Sequence, residues 1–109
     1  MEHTDFIDSK RRELVSTAAA MLSGDVNLIA GIRRILSLSA AIGDAGNEVF
    51  ISMRAIDSET DHFPLGDVRL GWESGALDRM DIEMKDYLAA AKEDILRSCQ
   101  KIVQVYSAR

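Results

Sequence analysis

The last third of the chain repeats apolar side chains at intervals of three and four residues almost without interruption. The members of this stripe are Leu77, Met80, Met84, Tyr87, Leu88, Ala91, Ile95, Cys99, Ile102, Val103 and Tyr106. Such spacing places apolar side chains on one face of an α-helix. We therefore predict one long C-terminal helix from a cap at Ser74 to Tyr106, with Asp81–Ile82 as the place where it could divide in two.

Three shorter helices are predicted before it, over residues 5–23, 25–42 and 47–55. Gly24 follows the first, where a left-handed residue often ends a helix, and Asp25 is the expected cap of the second. Gly31 interrupts the second helix at a cost in helix propensity, which favours the close approach of another helix there.

No segment shows the alternation of a β-strand. The fold class that follows is all-α, a helical bundle of three to five helices that forms a single domain over residues 1–109. Apolar residues make up 47% of the chain and charged residues 28%, which is ordinary for a globular protein and sufficient for a core.

Helical spacing fails between Ile56 and Trp72, in the segment IDSETDHFPLGDVRLGW, which contains the only proline. We predict an ordered loop here. The apolar side chains expected to anchor it are Ile56, Phe63, Leu65, Val68 and Trp72. Loops of this length in a compact domain are often functional.

The net charge of −5 is concentrated in the middle of the chain. Six acids lie between residues 44 and 67, namely Asp44, Glu48, Asp57, Glu59, Asp61 and Asp67, against one base, Arg54. This sign disfavours nucleic acid and favours a basic protein as the partner. We predict Asp57, Glu59, Asp61 and Asp67 as partner-binding residues; the alternative is that these acids only keep the loop solvated.

Two adjacent arginines, Arg33 and Arg34, lie on the otherwise apolar second helix. We predict that at least one pairs with a carboxylate of the 57–61 segment and so fastens the loop to the bundle. Trp72 is the third predicted loop anchor, as a large apolar side chain.

The alternating acids from Asp57 onward resemble a calcium loop, but the template fails. His62 occupies the position that needs glycine, and Val68 occupies that of the bidentate glutamate. An EF-hand is therefore excluded, no cofactor is predicted, and Asp57, Asp61 and His62 remain only weak candidates for a metal site.

No catalytic residue is predicted. Cys99 lies on the apolar stripe, where a thiol usually serves packing. Glu83 and Asp86 form one acidic pair of the kind that binds magnesium in all-helical nucleotide pyrophosphatases. The nearest second pair is Asp5 and Asp8, at the extreme start of the chain. A divalent-metal-dependent nucleotide hydrolase is therefore the weaker alternative.

The N-terminal sequence is charged from its start and lacks the apolar core of a secretory signal. Arg33 and Arg34 interrupt the most apolar stretch, so no membrane-spanning segment is expected. Cys99 has no cysteine partner in the chain. These features predict a soluble cytoplasmic protein that does not bind a membrane.

The segment Ile56–Gly66, followed by Arg69, Trp72 and Cys99, resembles a family of small all-helical bacterial proteins of unknown function. Met21–Gly24 and Gly31-x-Arg33 fit the same pattern. Small proteins of this kind look like immunity partners of secreted toxins. The resemblance implies a protein-binding module that neutralises a basic, nuclease-like toxin. The alternative is a structural or self-associating domain, for example a homodimer.

Overall fold

A computed structural model describes residues 3–107, which fold into four α-helices and two short 3₁₀ helices. The α-helices are α1 (His3–Leu22), α2 (Leu28–Ala41), α3 (Ile51–Thr60) and α4 (Ser74–Ser107), and the 3₁₀ helices are Glu48–Phe50 and Gly66–Gly71. Residues 3–107 contain no β-strand. The predicted all-α bundle with a long C-terminal helix is confirmed.

Local sequence explains where the helices begin and end. Gly24 and Gly43 adopt the left-handed conformation, with φ of 78° and 73°, after α1 and α2. The cap of α2 is Asn27 and not Asp25 as predicted, because the Asn27 side chain accepts hydrogen bonds from the amides of Ile29 and Ala30. Helix α4 does not divide near residue 81.

The core lies where α1, α2, α3 and α4 meet. Its fully buried side chains include Leu14, Met21, Ile32, Ile35, Phe50, Met53, Ile95, Cys99 and Ile102. Met21 approaches Cys99, and Arg11 lies over the ring of Tyr106, so α1 and α4 run antiparallel. A Cβ atom on Gly31 would come within 2.5 Å of the Met21 Sδ, which confirms the predicted close approach of two helices at this glycine.

Cys99 belongs to this core, as its position on the apolar stripe predicts. Its side chain is fully buried, and the Sγ lies 3.8 Å from the Met21 Sδ. Burial raises the pKa of the thiol to about 11, so the reactive thiolate is scarce at neutral pH.

Within residues 3–107, no helix combines the length and the apolar character needed to cross a membrane.

Candidate functional site

Residues 56–72, the connector, comprise the last turn of α3 and the segment that leads from it to α4. This stretch is more regular than predicted. Helix α3 continues to Thr60, so residues 56–60 are helical, and Gly66–Gly71 form a 3₁₀ helix. Ile56 and Thr60 continue the buried face that begins with Met53, and the Thr60 hydroxyl donates to the Ile56 carbonyl at 2.7 Å. The buried face of α3 therefore ends on a threonine. Because threonine is polar, the spacing of apolar residues does not reveal that the helix continues this far.

Arg33 fastens the connector to α2 through the backbone. Its Nη2 donates to the carbonyl oxygens of Thr60 at 3.0 Å and Phe63 at 3.1 Å. The Thr60 carbonyl lies at the end of α3, where it also accepts a hydrogen bond from the Phe63 amide at 3.1 Å, and the Phe63 carbonyl lies beyond the helix. The predicted pairing with a carboxylate of residues 57–61 is wrong, since the connector offers Arg33 its backbone instead.

Arg34 points elsewhere. It is exposed and forms an ion pair with Glu13 of α1, which lowers the pKa of that carboxyl. Of the two arginines, Arg33 therefore fastens the connector and Arg34 does not.

Phe63 fills a second apolar cluster with Ile29 and Met84. Only 4% of Phe63 is exposed, and its ring meets that of Tyr87 edge to face with centroids 6.5 Å apart. Pro64 beside it is also buried. The predicted anchoring by Phe63 is confirmed, and it places the turn of the connector between α2 and α4.

Arg69 fastens the far half of the connector to α4. Its two terminal nitrogens each donate to one oxygen of Asp81 at 2.8 Å, and Nη1 also donates to the Pro64 carbonyl at 3.3 Å. The two-pronged geometry fixes direction as well as distance. These hydrogen bonds lower the pKa of Asp81 and raise that of Arg69.

Two further contacts link the connector to α4. The Tyr87 hydroxyl donates to Glu59 at 2.6 Å, and burial together with this bond raises the pKa of Tyr87 to about 12. His62 Nε2 lies 3.8 Å from Glu83, and the His62 ring packs on Phe63 with centroids 4.2 Å apart. Glu59, Asp61 and Asp67 are all exposed, but Glu59 is bonded to Tyr87.

The free energy of unfolding should fall as the pH rises from about 9 toward 12. The pKa is raised from 9.0 to about 11 at Cys99 and from 10.0 to about 12 at Tyr87, chiefly by burial. The unfolded chain therefore loses these protons at lower pH than the folded protein. The stability they contribute is complete below about pH 9 and is lost as the pH passes the folded-state values.

Urea denaturation at several values between about pH 8 and 11 measures this effect. The matched control is the double variant Cys99→Ala/Tyr87→Phe, in which the alkaline loss should be smaller because two titrating groups are gone. Tyr106 remains in this variant, and burial raises its pKa as well. A loss of the same size in the double variant would show that other groups cause it.

The connector carries three large apolar side chains that are exposed. Val68 is 65% exposed, Leu70 86% and Trp72 37%, and they are three of the seven exposed large apolar residues described. Val68 was predicted to anchor the loop, and its exposure contradicts this. Trp72 is only partly exposed, so its predicted anchoring role stays a prediction. The ion pair of Arg69 with Asp81 holds this segment in place instead.

The weak metal candidates are not assembled. Among residues 3–107, no group of three or more His, Cys, Asp or Glu side chains is arranged to hold a metal ion. Asp57, Asp61 and His62 thus form no common ligand set. The pair Glu83 and Asp86 lies far from Asp5 and Asp8, because the start of the antiparallel α1 meets the end of α4.

Searches against protein-family models, curated proteins and solved structures give no match to this chain.

Proposed function

We propose that this chain is a protein-binding module and that the exposed side chains of the connector form its contact surface. The observation that carries the proposal is the exposure of Val68, Leu70 and Trp72 on a segment that is held in place. Exposed apolar side chains are typical of protein-binding surfaces, and tryptophan is among the residues that contribute most to binding. A fixed segment also loses little conformational entropy when it binds.

The acids on the same segment favour a basic partner. Asp61 and Asp67 are exposed, and neither takes part in an ion pair within residues 3–107. Asp57 is half-buried and Glu59 is bonded to Tyr87, so these two contribute to the negative field more than to direct contact. Opposite charges would speed encounter and add specificity.

More concretely, the proposed role is that of a cytoplasmic bacterial immunity protein that neutralises a basic, nuclease-like toxin. A surface of this charge would cover a basic active site. Self-association through the same segment is the alternative, but it would bring Asp61 and Asp67 of two copies together at a cost in repulsion.

The test begins with capture of a partner from the native host by wild-type protein and by Trp72→Ala in parallel. A basic protein captured only by the wild type is then purified and its binding measured. We expect Trp72→Ala to weaken binding by roughly thirtyfold, as at an interface hot spot. The double variant Asp61→Asn/Asp67→Asn should weaken binding mainly at low salt, since screening removes this contribution.

Ile51→Ala and Asp86→Asn are the matched controls, because both residues are exposed outside the connector. They should bind like the wild type. Equal effects of control and connector variants, or a partner without net positive charge, would overturn the proposal. A concentration-dependent dimer in sedimentation that Trp72→Ala abolishes would establish self-association instead.

A further inference from the structure

A groove of about 600 Å³ lies between the N-terminal half of α1 and the last turn of α4. The described residues that line it include Asp8, Arg11, Arg12, Val15, Ser16 and Tyr106. Its volume is that of a small-molecule site. About 25 residues of α4 separate Tyr106 from Asp81, or roughly 38 Å along the helix, so the groove is independent of the connector.

The Arg11 guanidinium lies over the Tyr106 ring, and one of its donors has no hydrogen-bond partner among the described residues. Its guanidinium carbon lies 5.9 Å from the centroid of the Tyr106 ring. The Tyr106 ring is fixed in turn, because it stacks on Phe50 and its hydroxyl donates to Asp44. The Nε of Arg11 is buried and has no hydrogen-bond partner among the described residues. A buried donor without an acceptor is costly. Because solvent does not reach the Nε, a ligand in the groove would meet the terminal nitrogens of the guanidinium instead.

Charge indicates which ligand fits. Arg11 and Arg12 bring two positive charges to the groove, and Asp8 brings one negative charge. The planar guanidinium fork matches the oxygens of a carboxylate or phosphate. Ser16 adds a hydroxyl group, and the half-buried Val15 adds an apolar wall for the organic part of a ligand.

We propose that this groove binds a small organic molecule through an oxyanion, carboxylate or phosphate, held by Arg11 and Arg12. Arg11 is ordered in advance by Tyr106, and Arg12 is exposed at the opening. Asp8 accepts a hydrogen bond from a hydroxyl or amino group of the ligand and disfavours ligands of high negative charge.

The test titrates the full chain with phenyl phosphate, with benzoate and with neutral benzyl alcohol at constant ionic strength. The readout is the NMR resonance of the Arg11 Nε–H, which belongs to the guanidinium group and shifts when an anion binds the terminal nitrogens. We expect saturable shifts with at least one of the two anions and none with the alcohol. The anion with the lower dissociation constant shows whether the groove prefers a phosphate or a carboxylate.

Arg12→Gln should lower the affinity for the preferred anion by about tenfold or more, since a charge-assisted contact is lost. Arg97→Gln is the matched control, because Arg97 is exposed on α4 and pairs with Asp94, and its affinity should stay within about twofold of the wild type. Arg12 is itself exposed, so its replacement leaves the fold intact. Shifts that do not saturate below about 20 mM, or equal affinities of the two variants, would overturn the proposal.

Discussion

Arg33→Met should lower the free energy of unfolding by roughly 3 kcal/mol, because two carbonyl groups lose a charged donor at once. These are the carbonyls of Thr60 and Phe63, which Arg33 holds at 3.0 and 3.1 Å. Methionine keeps most of the apolar stem but cannot donate a hydrogen bond. In a domain of this size such a loss lowers the melting temperature by more than about 10 °C. Urea denaturation measures it.

The neighbouring residue supplies the matched control. Arg34→Met removes the same charge from the same helix, but Arg34 is exposed and pairs with Glu13 at the surface, so only a small loss is expected. Losses of similar size in the two variants would show that the carbonyl contacts of Arg33 do not anchor the connector.

Phe63→Ala should destabilise the protein by roughly 3–5 kcal/mol, as large-to-small replacements of buried phenylalanine do. The ring is 4% exposed and packs with Ile29 and Met84, so its removal leaves a cavity between α2 and α4. Thermal denaturation followed by circular dichroism gives the shift.

The control for Phe63→Ala lies on the same segment. Leu70 is 86% exposed, so Leu70→Ala should change the free energy of unfolding by about 0.5 kcal/mol or less. A large loss for Leu70→Ala would mean that the 3₁₀ helix Gly66–Gly71 packs inward, and its outward face could then not serve as a contact surface.

The parts of the fold that the sequence predicts are those with a sustained period. The stripe from Leu77 to Tyr106 fixes both the presence and the inner face of α4, and the helix continues through Asp81 and Ile82 without a break. Gly24 and Gly31 were equally readable, because each meets a local requirement for a turn or a close contact.

The connector was less predictable because its contacts are long-range. Arg33 and Arg34 look alike in the sequence, and only the position of the Thr60 and Phe63 carbonyls separates the inward arginine from the outward one. Val68 and Trp72 lie in a segment without helical or strand periodicity, so the sequence does not show which way they face. The prediction that they lie inward rested on their apolar character alone. No sequence motif indicates the groove at Arg11, because it forms only where the end of α4 packs against the start of α1.

The proposed function requires that the connector is held rigidly on the helices and exposes apolar and acidic side chains. ¹⁵N relaxation of the backbone amides of residues 61–63 and 65–72 tests this most directly. We predict order parameters of about 0.85, the value of a rigid backbone and the same as in the helices that flank the segment. Values below about 0.6 across the segment would contradict the account, because a flexible connector could not present Val68, Leu70 and Trp72 as a fixed surface.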